Sequence, residues 1–151
     1  MKTMTQYPIE VKTTVDLTAL EVVRIMQARI NVFVVEQNCP YPEIDEKDYT
    51  ALNVMMWDGD QLVAYTRIIP HDDPKYISFG RVLVTAAYRK QHFGQAIVQA
   101  TLDEIKRLDP NRPIKIAAQN YLREFYASFG FEAVSDVFLE DNIPHVDMVH
   151  A

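Results

Sequence analysis

The sequence predicts an α/β fold in which a mixed sheet carries helices on its faces. Three observations lead to this class: residues that alternate between apolar and polar indicate strands, apolar residues at spacings of three and four indicate helices, and the two kinds of segment alternate along the chain. The length of 151 residues suits one domain with a substantial core, so we expect residues 1–151 to form a single domain.

The first third of the chain predicts a strand, a helix and a stiff loop. Residues 7–13 alternate as a strand does. Thr18 and Glu21 match a capping box, which predicts a helix that begins there and runs to about residue 34. The residues expected to face the core are Leu20, Val23, Met26, Ile30 and Phe33. Pro40 and Pro42 then end regular structure.

The middle of the chain predicts an antiparallel pair of strands followed by a third strand. Residues 53–57 and 62–69 flank Asp58 and Gly59, a sequence typical of hairpin turns. Residues 76–84 follow a turn at 71–74 and end in an apolar run. We therefore expect three adjacent strands before the second helix.

The last third predicts two further helices and the closing strands. A helix is expected over residues 93–108, with Phe93, Ile97, Ile105 and Leu108 on its buried side. The remaining elements are a buried strand over 113–118, a helix over 121–129 that Gly130 ends, and strands over 131–138 and 145–149 around a turn at 140–142.

Composition and charge exclude several classes of function. Hydrophobic residues make up 48% and the net charge is −6, so we expect a globular protein that binds no nucleic acid, since nucleic-acid binders usually carry a basic patch. No stretch of 18 apolar residues is present, so we expect no membrane association, and residues 1–6 do not resemble a signal peptide. The single cysteine, Cys39, excludes an internal disulfide and favours a cytoplasmic protein.

One segment carries the pattern of a phosphate-binding loop. A strand ends at Val84, two cations follow at Arg89 and Lys90, and a helix begins near Phe93. Helix N-termini present unpaired backbone N–H groups and partial positive charge, so this loop is suited to an anion. On spacing alone, a plain connection with solvated basic residues is the more common outcome.

Two motifs resemble those of the GNAT superfamily of N-acetyltransferases. Arg89-x-x-His92-x-Gly94 resembles its Arg/Gln-x-x-Gly-x-Gly/Ala pyrophosphate loop, and residues 126–131 resemble its later Tyr-x-x-x-Gly-Phe signature. Further segments resemble the ElaA-like branch: residues 29–37, 39–41, 80–82, 118–119 and 140–145. In order and spacing these matches span nearly the whole chain.

The resemblance implies acetyl-CoA as the acetyl donor and co-substrate. It also implies a strongly twisted sheet in which two central strands splay apart to admit that donor. The residues that would bind the donor are Val82, Leu83 and Val84 for the pantetheine arm, Arg89, Lys90, Gln91, His92, Phe93, Gly94, Gln95 and Ala96 for the pyrophosphate, and Asn120.

Two residues of this loop depart from the family pattern. His92 stands where glycine is usual, and glycine there allows positive φ values and a close approach of the backbone to phosphate. Histidine tolerates positive φ better than most side chains, so the loop can still form. Lys90 occupies another position that is often glycine, and it adds positive charge for phosphate.

Acetyl transfer to an amine requires an acid, a base and a polarised carbonyl. The resemblance implies that Tyr126 donates a proton to the leaving sulfur, although helical spacing also allows Tyr126 to be a core aromatic residue. Glu36 is the preferred base and His145 is its rival, because an imidazole pKa near 6.5 suits that role. A backbone N–H near Val82 or Leu83 would polarise the carbonyl.

The acceptor is expected to be a primary amine: a small cationic amine, a lysine or an N-terminal amine of a peptide. Five acids between Glu36 and Asp48 would attract a cation, unless they form a solvated acidic face. Arg29 and Arg81 either pair with these acids or contact substrate. A CoA-binding sensor that has lost turnover is the alternative function, and the chain is expected to be a monomer or homodimer.

A metal site is not expected. His145 and Asp147 share a strand face by alternation, whereas His150 does not, and one cysteine without a paired histidine motif disfavours zinc.

Overall fold

The structure, a computed structural model, describes residues 7–151, and the expectation for residues 1–6 lies outside this range. Strands and helices follow in the order β1 (Ile9–Thr13), α1 (Ala19–Arg29), β2 (Leu52–Asp58), β3 (Gln61–Pro70), β4 (Ile77–Val84), α2 (Phe93–Leu108), β5 (Ile114–Gln119), α3 (Arg123–Ala127), β6 (Glu132–Ala133), β7 (Phe138–Glu140) and β8 (Ile143–His150). A π-helical segment, Ile30–Glu36, continues α1.

The strands form one mixed sheet with an opening near its middle. The strand order is β1-β2-β3-β4-β5-β8-β6, and β7 also pairs with β8. Every neighbouring pair is antiparallel except β4 and β5, which are parallel and share a single register pair, Ile77 with Ile114. Beyond that pair the two strands diverge. The predicted splaying of two central strands is therefore confirmed.

Helices cover both faces of the sheet, as predicted. On one face α2 and α3 pack against the sheet around a core that includes Ile97, Phe79 and Tyr126. On the other face α1 packs against a smaller core that includes Ile25 and Tyr65. The opening between β4 and β5 thus lies between the two faces of the sheet, one covered by α2 and α3 and the other by α1.

Helix α1 begins as predicted, but the face that it and the π-helical segment bury matches the prediction only in part. Thr18 and Glu21 form the expected reciprocal capping box. Leu20 and Val23 are 59% and 60% exposed and Ile30 is 40% exposed, so three residues of the predicted apolar face point to solvent. The buried residues are Ile25, Ala28, Arg29 and Phe33. The prediction holds for Phe33, which is buried, and for Met26, which packs against the same core. It was wrong for the other three, because the inward face carries a charged residue, Arg29, which apolar patterning assigns to solvent.

Helix α2 has the predicted bounds, but its last turn is exposed. Phe93, Ile97 and Ile105 are buried as expected, whereas Leu108 is 45% exposed. Thr101 is buried instead, where its hydroxyl lies 2.6 Å from that of Thr66 on β3. A buried hydroxyl pair of this kind satisfies both polar groups.

The predicted strand over residues 131–138 is broken into β6 and β7. The pairings of β6 and β7 with β8 leave residues 134–137 opposite only two residues of β8, so this stretch bulges out of the sheet. The predicted helix over 121–129 is shorter, with α3 preceded by a 3₁₀ turn at Asn120–Leu122. Gly130 lies just beyond it at φ +97°, as expected of a glycine at a helix end.

Within residues 7–151, no helix combines the length and the hydropathy needed to cross a bilayer.

Candidate active site

The divergence of β4 and β5 creates a cleft of about 1160 Å³. Its walls come from β4, β5, the π-helical segment, the β7–β8 hairpin and residues 39–49, which we call the acidic loop. The acidic loop, which follows α1 and contains Pro40 and Pro42, lines one side of the cleft. The cleft therefore gathers residues from both halves of the chain.

A β-bulge in β4 shapes the wall that faces the opening. Tyr65 pairs with Leu83 and Arg67 with Gly80, so Thr66 alone faces both Arg81 and Val82. Arg81 adopts φ +50°, a left-handed conformation that is unusual for a residue inside a strand. A bulge leaves the extra residue unpaired and re-aims its neighbours. Three of the predicted donor-binding residues, Val82, Leu83 and Val84, line the cleft at this point.

The connection between β4 and α2 forms a second, smaller cavity of about 260 Å³. Residues 89–92, which we call the helix-entry loop, place both Lys90 and His92 at φ +65°. His92 is the N-cap of α2, so the first backbone N–H groups of that helix open toward the cavity. The residues that line it are Val84, Tyr88, Arg89, Lys90, His92, Phe93, Gly94, Gln95 and Phe125.

Two of the predicted loop residues lie outside both cavities. Gln91 is exposed and Ala96 packs against the core under α2. Asn120 also lines neither cavity. The remaining loop residues are brought together around the N-terminus of α2, which is the arrangement that binds anions in proteins.

Arg89 and Glu36 form an ion pair across the mouth of the cleft. The Arg89 Nη2 lies 2.8 Å from Glu36 Oε1, and the Arg89 Nε donates to the Val84 carbonyl at 3.0 Å. Both paired side chains are about 40% exposed. Glu36 thus lies at the cleft as expected, but its carboxylate is held by the helix-entry loop.

Tyr126 is a core aromatic residue that also lines the cleft. It is 5% exposed and packs edge-to-face against Phe125 and Phe131, with ring centroids 5.1 and 6.0 Å away. Burial raises the pKa of the Tyr126 hydroxyl, so it stays protonated at neutral pH. Among the described residues its hydroxyl has no hydrogen-bond partner.

His145 is held in one tautomer. Its Nδ1 lies 2.7 Å from the Ile143 carbonyl oxygen. A carbonyl oxygen only accepts hydrogen bonds, so Nδ1 carries the proton and Nε2 of the neutral ring keeps a lone pair. The ring is stacked on Phe138 at an interplanar angle of 24°, and Nε2 lies 3.5 Å from Glu140 Oε2. This side chain is 8% exposed and lines the cleft.

Three arginines neutralise the acidic loop. Arg29, which is 0% exposed, donates to Glu43 at 2.6 Å and to Asp48 at 2.7 Å. Arg81 donates to the same oxygen of Glu43 at 2.8 Å. Both Arg29 and Arg81 therefore pair with acids of this loop, which is the first of the two roles, ion pairing or substrate contact, that the sequence allows.

The third arginine, Arg67, ties β3 to the same loop. It donates to both oxygens of Asp45, at 2.7 and 3.0 Å, and to Asp48 at 3.0 Å. Hydrogen bonds from Arg67 lower the pKa of the Asp45 carboxyl to about 2. Most of the acids that sequence analysis assigned to cation attraction are thus neutralised inside the protein.

Comparison with known proteins identifies this architecture. Residues 18–151 match the model of the acetyltransferase (GNAT) domain. The chain belongs to the GNAT family. It is 42% identical over 136 residues to the protein ElaA of Escherichia coli, and the aligned region covers 88% of this chain and 89% of that protein. The predicted ElaA-like resemblance is therefore confirmed.

Solved structures agree with this assignment. An acyl-CoA N-acyltransferase from Pseudomonas aeruginosa superposes with a TM-score of 0.91 and 37% identity over 97% of this chain and 100% of that one. The crystal structure of E. coli ElaA superposes with a TM-score of 0.89 and 37% identity over 95% of this chain and 99% of that one. This GNAT protein is an acyltransferase that uses an acyl-CoA donor.

One buried polar atom lies close to the cleft of this GNAT protein. Asn120 Oδ1 is buried and has no hydrogen-bond partner among residues 7–151. It directly follows β5, between Gln119 and Tyr121, which line the cleft. A buried acceptor without a donor is costly, but Asn120 itself lines neither cavity, so this atom does not mark a contact with the donor.

No group of three potential metal ligands is present within residues 7–151. His145 and Asp147 do line the cleft together, whereas His150 packs on Phe131 with ring centroids 5.2 Å apart.

Sequence reasoning missed Arg67 and Tyr41, both of which line the cleft of this GNAT protein. Tyr41 donates to Glu43, and its ring lies 5.6 Å from the Arg81 guanidinium carbon. Arg67 had a visible signal, because it is the one charged residue in the apolar strand at 62–69. A charge there requires a buried partner. Tyr41 had no comparable signal.

Proposed function

We propose that this protein is an acetyl-CoA-dependent N-acetyltransferase that moves an acetyl group to a primary amine by direct attack, within one domain over residues 1–151. The observation that carries the proposal is the cleft between β4 and β5, which Tyr126 lines from the α3 side and His145 from β8. An acid and a base on opposite sides of one opening suit transfer in a ternary complex.

The donor would be held mainly by backbone groups. Val82, Leu83 and Val84 lie on the bulged edge of β4, where the absence of a neighbouring strand leaves groups for the pantetheine arm. The helix-entry loop and the N-terminus of α2 offer N–H groups and positive charge to a pyrophosphate. Arg89 would exchange the Glu36 carboxylate for a phosphate, since both are anions of similar geometry.

His145 is the better-placed base for the acceptor amine. Its Nε2 has a lone pair directed by the Nδ1–H bond to Ile143, whereas Glu36 must first leave Arg89 before it can accept a proton. After deprotonation, the amine nitrogen bonds to the thioester carbon, and a backbone N–H near Val82 or Leu83 stabilises the oxyanion.

Tyr126 completes the transfer. As the carbon–sulfur bond breaks, its hydroxyl gives a proton to the departing sulfur. Its raised pKa keeps that proton in place until the thiolate develops. The products are an amide and free CoA thiol.

The first experiment is calorimetric titration of the protein with acetyl-CoA, with CoA and ATP as controls. We expect micromolar binding of acetyl-CoA. A thiol-release assay with amines and peptides then tests turnover, and we expect Tyr126→Phe to lower kcat by about 100-fold while the acetyl-CoA Kd stays unchanged. Tyr49→Phe is the matched control, because Tyr49 is 72% exposed and lies outside the cleft.

Absence of acetyl-CoA binding at millimolar concentration would overturn the proposal. Tight binding with equal, slow background hydrolysis in wild type and Tyr126→Phe would instead indicate the CoA-binding sensor that the sequence leaves as the alternative.

A further inference from the structure

The charges that line the cleft are distributed unequally between its walls. On the β3–β4 side, Arg67 lies 2.7 Å from Asp45 and Arg81 lies 2.8 Å from Glu43. At the mouth, Arg89 lies 2.8 Å from Glu36. Each arginine that lines the cleft therefore has a carboxylate partner, and these ion pairs leave little net charge.

The β8 wall is different, because Asp147 has no cationic partner. Its backbone N–H donates to the Ser135 hydroxyl at 2.9 Å, but its carboxylate forms no hydrogen bond or ion pair with any residue in the range 7–151. Lys115, two positions along β5 from the partner of Asp147 in the sheet, lies over the Tyr76 ring at 5.3 Å. A partly buried carboxylate without a partner favours a cation from outside.

The surroundings of Asp147 leave room for such a cation. Asp147 pairs directly across the sheet with Ala117, a small and exposed residue. His145 lies two residues away on the same strand face, which places the two side chains about 7 Å apart. His145 is 8% exposed, and its Nε2 has only the Glu140 carboxylate at 3.5 Å as a polar neighbour within the described part of the chain.

From this arrangement we infer that Asp147 is the specificity residue for the acceptor, and that the acceptor is a dication: a primary amine with a second positive charge about 7 Å from the reacting nitrogen. The inference rests on the proposed function, and it names the substrate class for that same cleft. His145 would take the proton from one nitrogen while Asp147 binds the other, with Glu140 and Asp141 adding negative charge at the rim.

The test compares putrescine with pentylamine, which has the same length but a methyl group in place of the second nitrogen. We expect wild-type protein to prefer putrescine by at least about tenfold in kcat/KM, through KM. Asp147→Asn should reduce this preference to about twofold or less. The matched control is Asp136→Asn, which removes one charge from an exposed site of the same region and should retain the preference.

A second variant guards against a folding defect. Ala117→Lys sets an ammonium group directly opposite Asp147, so it should abolish the preference with the carboxylate still present, whereas Ala117→Gln should retain most of it. Equal rates for both amines in wild type, or an unchanged preference in Asp147→Asn, would overturn the inference.

Calorimetric titration of putrescine into the protein–CoA complex separates the two hypotheses. Binding to wild type that Asp147→Asn abolishes, without acetylation of either amine, would uphold the dication site and reject the proposed function. Acetylation of both amines at similar rates would uphold the function and reject the dication site.

Discussion

Two loops border the cleft, and they hold their shapes by different means. The helix-entry loop, residues 89–92, is defined by backbone conformation: Lys90 and His92 take left-handed φ values and the next residues begin α2. The acidic loop, residues 39–49, is held by side chains, through ion pairs to arginines on α1, β3 and β4. A loop defined by its backbone tolerates any side chain that can adopt the required φ value. A network of buried ion pairs, in contrast, is destabilised by the loss of any one of its charged residues.

The largest expected effect comes from removing the most buried charge of the acidic-loop network. Arg29→Met would leave Glu43 and Asp48 buried with fewer donors, because Arg29 bonds to both. We expect a loss of about 3–5 kcal/mol in the free energy of unfolding, as is typical when one partner of a buried ion pair is removed. Urea denaturation measures this loss.

Arg24→Met is the matched control on the same helix. Arg24 pairs with Asp60, whose side chain is 79% exposed, at 3.4 Å, so the change should cost about 0–1 kcal/mol. If both substitutions cost the same, buried charge is not what holds the acidic loop.

An intermediate effect is expected in the helix-entry loop. His92→Val places a β-branched residue at φ +65°, where left-handed backbone costs about 1–2 kcal/mol. On the proposed function, the acetyl-CoA Kd should rise by about tenfold, because the loop no longer holds its N–H groups toward the phosphate. Calorimetry measures this change, and His92→Gly, which is free of the strain, should bind at least as tightly as wild type.

Wild-type affinity in His92→Val would show that the left-handed conformation is not needed for donor binding. The helix-entry loop would then not depend on its backbone conformation in the way described above.

The smallest effect is a pH dependence in the acidic loop. Hydrogen bonds from Arg67 lower the pKa of Asp45 to about 2, against about 3.9 in an unfolded chain. Between those values the unfolded state binds more protons, so the stabilisation is present above pH 4 and is lost as the pH falls toward 2. The side chain of Asp45 is 38% exposed, so solvent screening keeps the change small, below about 1 kcal/mol.

Urea midpoints of wild type and Asp45→Asn between pH 2 and pH 5 check this dependence. The variant should show a flatter profile than wild type, whereas Asp136→Asn should follow the wild-type profile. A parallel decline in all three proteins would assign the acid sensitivity to other carboxylates.

The same contrast explains what the sequence could and could not predict. The bounds of α2 and the residues of the helix-entry loop were predictable because helix periodicity and a phosphate-loop motif lie within a few consecutive positions. The buried face of α1 was not predictable, because Arg29 is buried only through partners 14 and 19 positions away. Apolar patterning assigns such a residue to solvent.

The candidate site divides along the same line. Tyr126 and the β4 wall could be inferred from motifs and lie at the cleft. That Asp147 has no cationic partner could not be inferred from the sequence. It depends on the contact of Lys115 with the Tyr76 ring, and on the pairing of the three arginines of the cleft with other carboxylates. Which charges remain without a partner is a property of the whole fold rather than of any segment.

The single register pair between β4 and β5 has a consequence for the dynamics of the sheet. Within residues 7–151, strands β1–β4 and β5–β8 are joined across the sheet only where Ile77 meets Ile114, so beyond that pair the amide groups that face the opening have no strand to protect them. Their hydrogen–deuterium exchange rates then depend on what fills the opening. A donor bound there would act as the missing strand, and the slowing of those amides would mark its position along the sheet residue by residue.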